Sequence, residues 1–90
     1  MNTITLNTSA ENLETEQQFI KKFTPLVKRI AHHMMEKLPT SISIDDLIQA
    51  GMEGLSDAIK RYKGAYDHQF ELFAAQRVRV SILRQLRTDN

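Results

Sequence analysis

Two stretches of this chain carry side chains that could do chemistry, and in both cases the chemistry is binding. Residues 44–59 hold Asp45, Asp46, Glu53 and Asp57 and no lysine or arginine; residues 77–87 hold Arg77, Arg79, Arg84 and Arg87 and no acid. On a wheel turning about 100° per residue, Leu47, Ile48, Leu55, Ala58, Ile59 and Tyr62 fall within about 60° of Ile44, with Met52 at the edge. Asp46, Gln49, Glu53 and Asp57 gather on the opposite side. One face is a stripe for a core, and the other is an acidic surface on which a basic partner can dock. Helix-dipole complementation would account for Asp45, Asp46, Arg84 and Arg87. It leaves Glu53, Asp57 and Arg77 unexplained, so the charge separation points to two surfaces with two partners.

The basic stretch has a second property. Phe70, Phe73 and Arg84 lie within about 40° of Arg77 on the wheel, with Val80 and Arg87 on the flank within about 80°. Ala75, Val78, Ile82, Leu86, Leu72 and Leu83 form the other side, the natural core face. Rings that share a face with cations suit single-stranded nucleic acid, because bases stack on the rings while arginines hold phosphates. The structural alternative is that Phe70 and Phe73 pack on a neighbouring helix and the arginines are solvated. Arg79 sits amid the aliphatic side, where its stem would snorkel or its head pair internally.

These faces need helices to hold them. Ninety residues suffice for one small domain. Three Gly and two Pro leave little room for a turn-rich all-β design. The absence of cysteine excludes a disulfide scaffold and thiol chemistry. No apolar run reaches the length of a membrane span, and the N-terminus lacks the blocks of a signal peptide, so a cytoplasmic location is expected. Residues 1–8 are polar and aperiodic and predict a flexible arm, with the domain occupying 9–90. A helix is expected over 9–23, carrying Leu13, Phe19, Ile20 and Phe23. Thr24-Pro25 then reads as the start of a second helix, with Thr as cap and Pro at the first position. Its stripe is Leu26, Val27, Ile30, Ala31, Met34, Met35 and Leu38, and Pro39 ends it. Ser43 caps the acidic helix, with Asp46 as a capping-box-like partner. Lys63-Gly64-Ala65-Tyr66-Asp67 is a break, and a last helix runs over 68–87. The expectation is an all-α bundle of three or four helices.

The run Asp45-Asp46-Leu47-Ile48-Gln49-Ala50-Gly51-Met52-Glu53-Gly54-Leu55, followed by Ala58-Ile59-Lys60-Arg61-Tyr62, resembles the core-binding segment of the bacterial sigma-70 family of RNA polymerase sigma factors. Phe70-Glu71-Leu72-Phe73-Ala74-Ala75-Gln76-Arg77-Val78-Arg79 continues the match into the promoter-melting segment. Gln76-Arg77 and Leu38-Pro39 are similar to the flagellar, sigma-28-like branch. The resemblance covers about residues 19–87. It implies the sigma domain 2 fold, with the acidic helix docking on the clamp coiled coil of the polymerase β′ subunit. Asp46, Leu47, Ile48 and Gln49 match that contact, and Glu53 joins them by geometry. The resemblance also implies that the later helix captures a flipped base of the −10 non-template strand. Phe73 matches the stacking aromatic, with Phe70, Arg77 and Arg79 beside it; Arg84 and Arg87 extend the same face. No cofactor or metal is implied.

Several positions depart from the family pattern. Phe stands at 73 where Tyr is usual, Leu at 72 where Thr is typical, Val at 80 for the flagellar Gly, and Arg at 84 for an acid. The chain stops where sigma factors continue into the helix that reads the −10 element, which predicts a truncated domain that cannot by itself select promoters. That ending also predicts partial exposure of Leu83 and Leu86. A second reading is therefore an interaction module that occupies the polymerase clamp, or an anti-sigma partner, without opening DNA. A third is a helix-turn-helix reader, disfavoured because residues 68–73 offer phenylalanines where base-reading side chains belong. An enzyme is not expected. His32, His33 and Glu36 supply too few ligands for a closed metal site, and Asp45 and Asp46 diverge by about 100° on a helix.

Overall fold

The apolar stripe Phe19, Phe23, Val27, Ile30, Ala31 passes straight through the Thr24-Pro25 step, and the chain stays helical across it. In the computed structural model, which describes residues 2–37, 41–62 and 67–88 with side chains from Thr15 to Arg87, helix α1 spans Asn2–Lys37 with Pro25 inside it. Two expectations change here. Thr24 is not an N-cap: its hydroxyl donates to the Ile20 carbonyl one turn back at 2.6 Å, a bond characteristic of threonine within a helix. Nor is residue 2 the tip of an irregular arm, since the backbone over 2–8 is already helical. An internal proline costs about 3 kcal/mol. Phe23 and Val27 on either side of it are buried, while Pro25 itself is exposed. Burial of the stripe offsets the lost bond, and the ring faces water.

Helix α2 spans Ile44–Arg61. Ser43 caps it as expected, its Oγ accepting from the Asp45 N–H at 3.1 Å; the bond goes to Asp45 and not through Asp46. Helix α3 spans His68–Thr88. Its cap is Asp67, whose carboxylate accepts from the N–H groups of Gln69 at 3.0 Å and Phe70 at 3.4 Å. Leu38, Pro39 and the break at 63–66 lie outside the described residues. Among the described residues the result is three helices and no strand, an all-α domain in which α2 packs against both α1 and α3, most extensively against α3.

The core is rotated on α3 relative to the wheel reading. Phe70, Ala74, Val78 and Ile82 are fully buried, whereas Leu72, assigned to the core face, is 60% exposed; Leu83 is 42% exposed, in line with the partial exposure expected of it. The cause lies on α2, where Gly51 and Gly54 open a notch. A Cβ on Gly54 would stand 2.7 Å from the Arg77 carbonyl oxygen and 3.0 Å from the Val78 Cα. A Cβ on Gly51 would stand 2.7 Å from a Val27 methyl and 3.2 Å from a Val78 methyl. The backbone of α3 at 77–78 therefore lies in the notch. With α3 seated so, Phe70 is turned inward and Leu72 outward.

Candidate polymerase- and DNA-binding surfaces

A line of rings runs from the middle of the bundle towards its surface. Phe23 meets Phe70 edge-on with centroids 5.2 Å apart, Phe70 meets Tyr62 edge-on at 5.2 Å, and Tyr62 lies against Phe73 at 5.4 Å, tilted by 37°. Edge-to-face and tilted pairs at these spacings are favourable beyond the area they bury. Phe70 ends with no exposed surface, and Phe73 is half-buried. The grouping of Phe70 with the DNA face is therefore corrected: no base can reach its ring without unpacking the core. Only Phe73 of the two presents ring surface, and Tyr62 backs it. Tyr62 could have been recognised as that support, since on the wheel it falls in line with Ile44 and points at the interior.

Arg77 is tied down. Its Nη2 donates to Asp57 Oδ2 at 2.6 Å, while Arg61 Nε donates to Asp57 Oδ1 at 2.7 Å. One carboxylate of the acidic helix thus holds an arginine of the basic helix across the α2–α3 seam. The two charged stretches are not wholly separate surfaces, because Asp57 and Arg77 face each other. Arg77 retains about a third of its side-chain exposure (35%) and stands one turn from Phe73. Arg84 and Arg87 are exposed further along the helix, and Val80 is half-buried. Arg79 is exposed on the α1 side, away from Phe73, and makes no ion pair among the described residues.

The hydrogen bond from Arg77, and after it the bond from Arg61, hold the Asp57 carboxyl below its ordinary value of 3.8. A carboxylate whose folded pKa is lowered contributes stability above its unfolded pKa and loses it as pH falls through the folded value. The contribution is modest, because the pair is partly open to water. Asp57→Asn should lower the melting temperature by a small, constant amount at neutral pH, and the gap to the wild type should close as pH drops below about 3.8. A gap unchanged by acid would show that Asp57 acts without its charge.

On α2, Asp46, Gln49 and Glu53 are exposed on the side away from the core, and Ile48 and Met52 are half-buried along its edge. Leu47 is fully buried, so it cannot touch a partner. It stays in the motif as the anchor that fixes the rotation of the face. Neither Asp46 nor Glu53 is in an ion pair among the described residues. Their charge is available to an incoming cation.

The family model for sigma-70 region 2 matches residues 19–90. The chain belongs to the sigma-70 region 2 family. Among curated relatives, it is 38% identical over 84 residues to the RNA polymerase sigma factor FliA of Pseudomonas aeruginosa, covering 93% of this chain and 34% of that protein. It is 35% identical over 80 residues to the FliA protein of Escherichia coli K12, covering 89% and 34%. The RNA polymerase sigma-D factor of Bacillus subtilis is 32% identical over 71 residues, covering 79% and 28%. The chain thus spans about a third of the length of the relatives it matches. No solved structure matches it significantly.

Proposed function

We propose that this domain binds RNA polymerase core through the outward face of α2 and supports opening of promoter DNA through the outer end of the ring series on α3. The observation that carries the first part is the exposed Asp46, Gln49, Glu53 row, held rigid by the buried Leu47 beneath it. An acidic row of this kind complements a basic coiled coil such as the β′ clamp, and such complementarity chiefly sets approach rate and register. The role is binding and not catalysis.

The DNA reading rests on Phe73, a half-exposed ring braced from behind by Tyr62, with Arg77 one turn away. A flipped base of the non-template strand stacks on the ring, and Arg77, Arg84 and Arg87 lie along the strand to meet phosphates. Asp57 keeps the Arg77 head in place before DNA arrives. An anti-sigma protein that covers the α2 face would compete with core for the same residues.

Titration of the chain against polymerase core, with Asp46→Ala and Gln49→Ala alongside, tests the docking face. Each substitution should weaken binding by roughly tenfold, about 1.4 kcal/mol. Unchanged affinity in both variants would rule out this face. Core binding without any affinity for a −10 non-template oligonucleotide would favour the pure interaction module.

A further inference from the structure

The two surfaces just described leave one side of the bundle unused, the trough between α1 and α3. It consists of two adjoining hollows of about 390 and 340 Å³ that share His33 and Arg79. Leu26, Ile30 and Met34 contribute from α1. Leu72 and Leu83 contribute from α3, and they are the exposed large hydrophobic residues among those described. Leu72 and Leu83 stand three helical turns apart, about 16 Å along the axis. That distance is the span of one short helix laid alongside.

The charge of the trough is of one sign apart from a single acid. Arg29, Lys37 and Arg79 line it with His33, and Glu71 is the only acid among the described residues that line it. None of the three cations is in an ion pair among the described residues. We propose that this trough docks an acidic amphipathic helix of a partner protein, its apolar stripe covering Leu72 and Leu83 and its acids meeting Arg29, Lys37 and Arg79. Other occupants fit less of the surface. A nucleic-acid strand satisfies the cations but sets its charged backbone against two exposed leucines. A second copy meeting trough to trough places like charges together. A second copy presenting its α2 face brings Asp46 and Glu53 but only the half-buried edges of Ile48 and Met52 to cover the two exposed leucines, since Leu47 is buried. The inference does not depend on polymerase docking, which uses the outward face of α2.

The test is an NMR titration of the whole chain with a designed peptide of about five turns, apolar at i, i+4, i+7 and i+11 and glutamate-rich elsewhere. A peptide of the same apolar pattern with lysine for glutamate is the control. Saturable shifts at Leu72, Arg79 and Leu83, with the acidic peptide binding at least tenfold tighter than the control, are the expected result. Lys37→Glu with Arg79→Glu, both on exposed positions, should lose at least tenfold in affinity for the acidic peptide with the helical circular dichroism unchanged. Leu72→Ser should weaken both peptides. Equal affinity for the two peptides, shifts confined to α2, or no binding would overturn the proposal. So would tighter binding of a single-stranded oligonucleotide at the same residues, or concentration-dependent self-association that perturbs them without peptide.

Discussion

Phe70→Ala should lower the free energy of unfolding by about 3–5 kcal/mol, the cost of emptying a large aromatic site in a close-packed interior. A domain of this size has on the order of 5–10 kcal/mol in all, so the variant should be close to unfolded at body temperature. Phe70 is fully buried, and it touches both Phe23 and Tyr62, so its loss unsupports two further rings. Phe73→Ala behaves differently. Its ring is half-exposed and, among the described residues, pairs with the ring of Tyr62, so the domain should stay folded. Affinity for a −10 non-template oligonucleotide should fall by the worth of one stacked base, roughly 1–3 kcal/mol or about five- to 150-fold. Denaturant melts of both variants, with oligonucleotide titration of Phe73→Ala, measure the pair. A Phe70→Ala domain as stable as the wild type would remove that ring from the core. Undiminished oligonucleotide binding by Phe73→Ala would end the stacking role.

Gly54→Val should be about as damaging, at roughly 3 kcal/mol, the upper end of the overpacking range. The atoms it would strike are backbone or near-backbone: the Arg77 carbonyl at 2.7 Å and the Val78 Cα at 3.0 Å, together with Ser81 Oγ at 2.7 Å. None of the first two can move aside by a rotamer change, so α3 must shift away from α2. Gly54→Ala separates this clash from helix propensity. Alanine gains about 1 kcal/mol over glycine in a helix interior, yet the variant should still be less stable than the wild type. A more stable Gly54→Ala domain would show that the notch has slack. The shift of α3 also strains the Arg77–Asp57 pair, which spans the same seam. Gly54→Val should therefore weaken oligonucleotide binding even where a folded population survives.

The sequence was most legible where local chemistry and pattern agreed. The Ser43 cap, the acidic face of α2 and the buried Leu47, Leu55, Ala58 and Ile59 all follow from spacing within a single helix. The resemblance to the sigma-70 family could be read along the chain from about residue 19, and the family match over residues 19–90 bears it out. Three features were not accessible in that way. The Thr24-Pro25 step carries a strong start signal, but the tertiary burial of Phe23 and Val27 on either side overrides it. The rotation of α3 depends on the glycine notch of a different helix, which a wheel of α3 alone does not contain. The pairing of Asp57 with Arg77 joins residues twenty positions apart, and no single-helix reading brings them together.

By itself, then, the sequence determined an all-α domain, the residues that carry its charge and aromatic character, and the segments to which a family resemblance attaches. Those are properties of composition and of spacing within one helix, where near neighbours lie a turn apart. Tertiary structure decided which of two phenylalanines faces water, which leucines line a trough, and which arginine is already held by a carboxylate. Each of these depends on how one helix is rotated against another, and on α3 that rotation goes with the close approach of its backbone to Gly54.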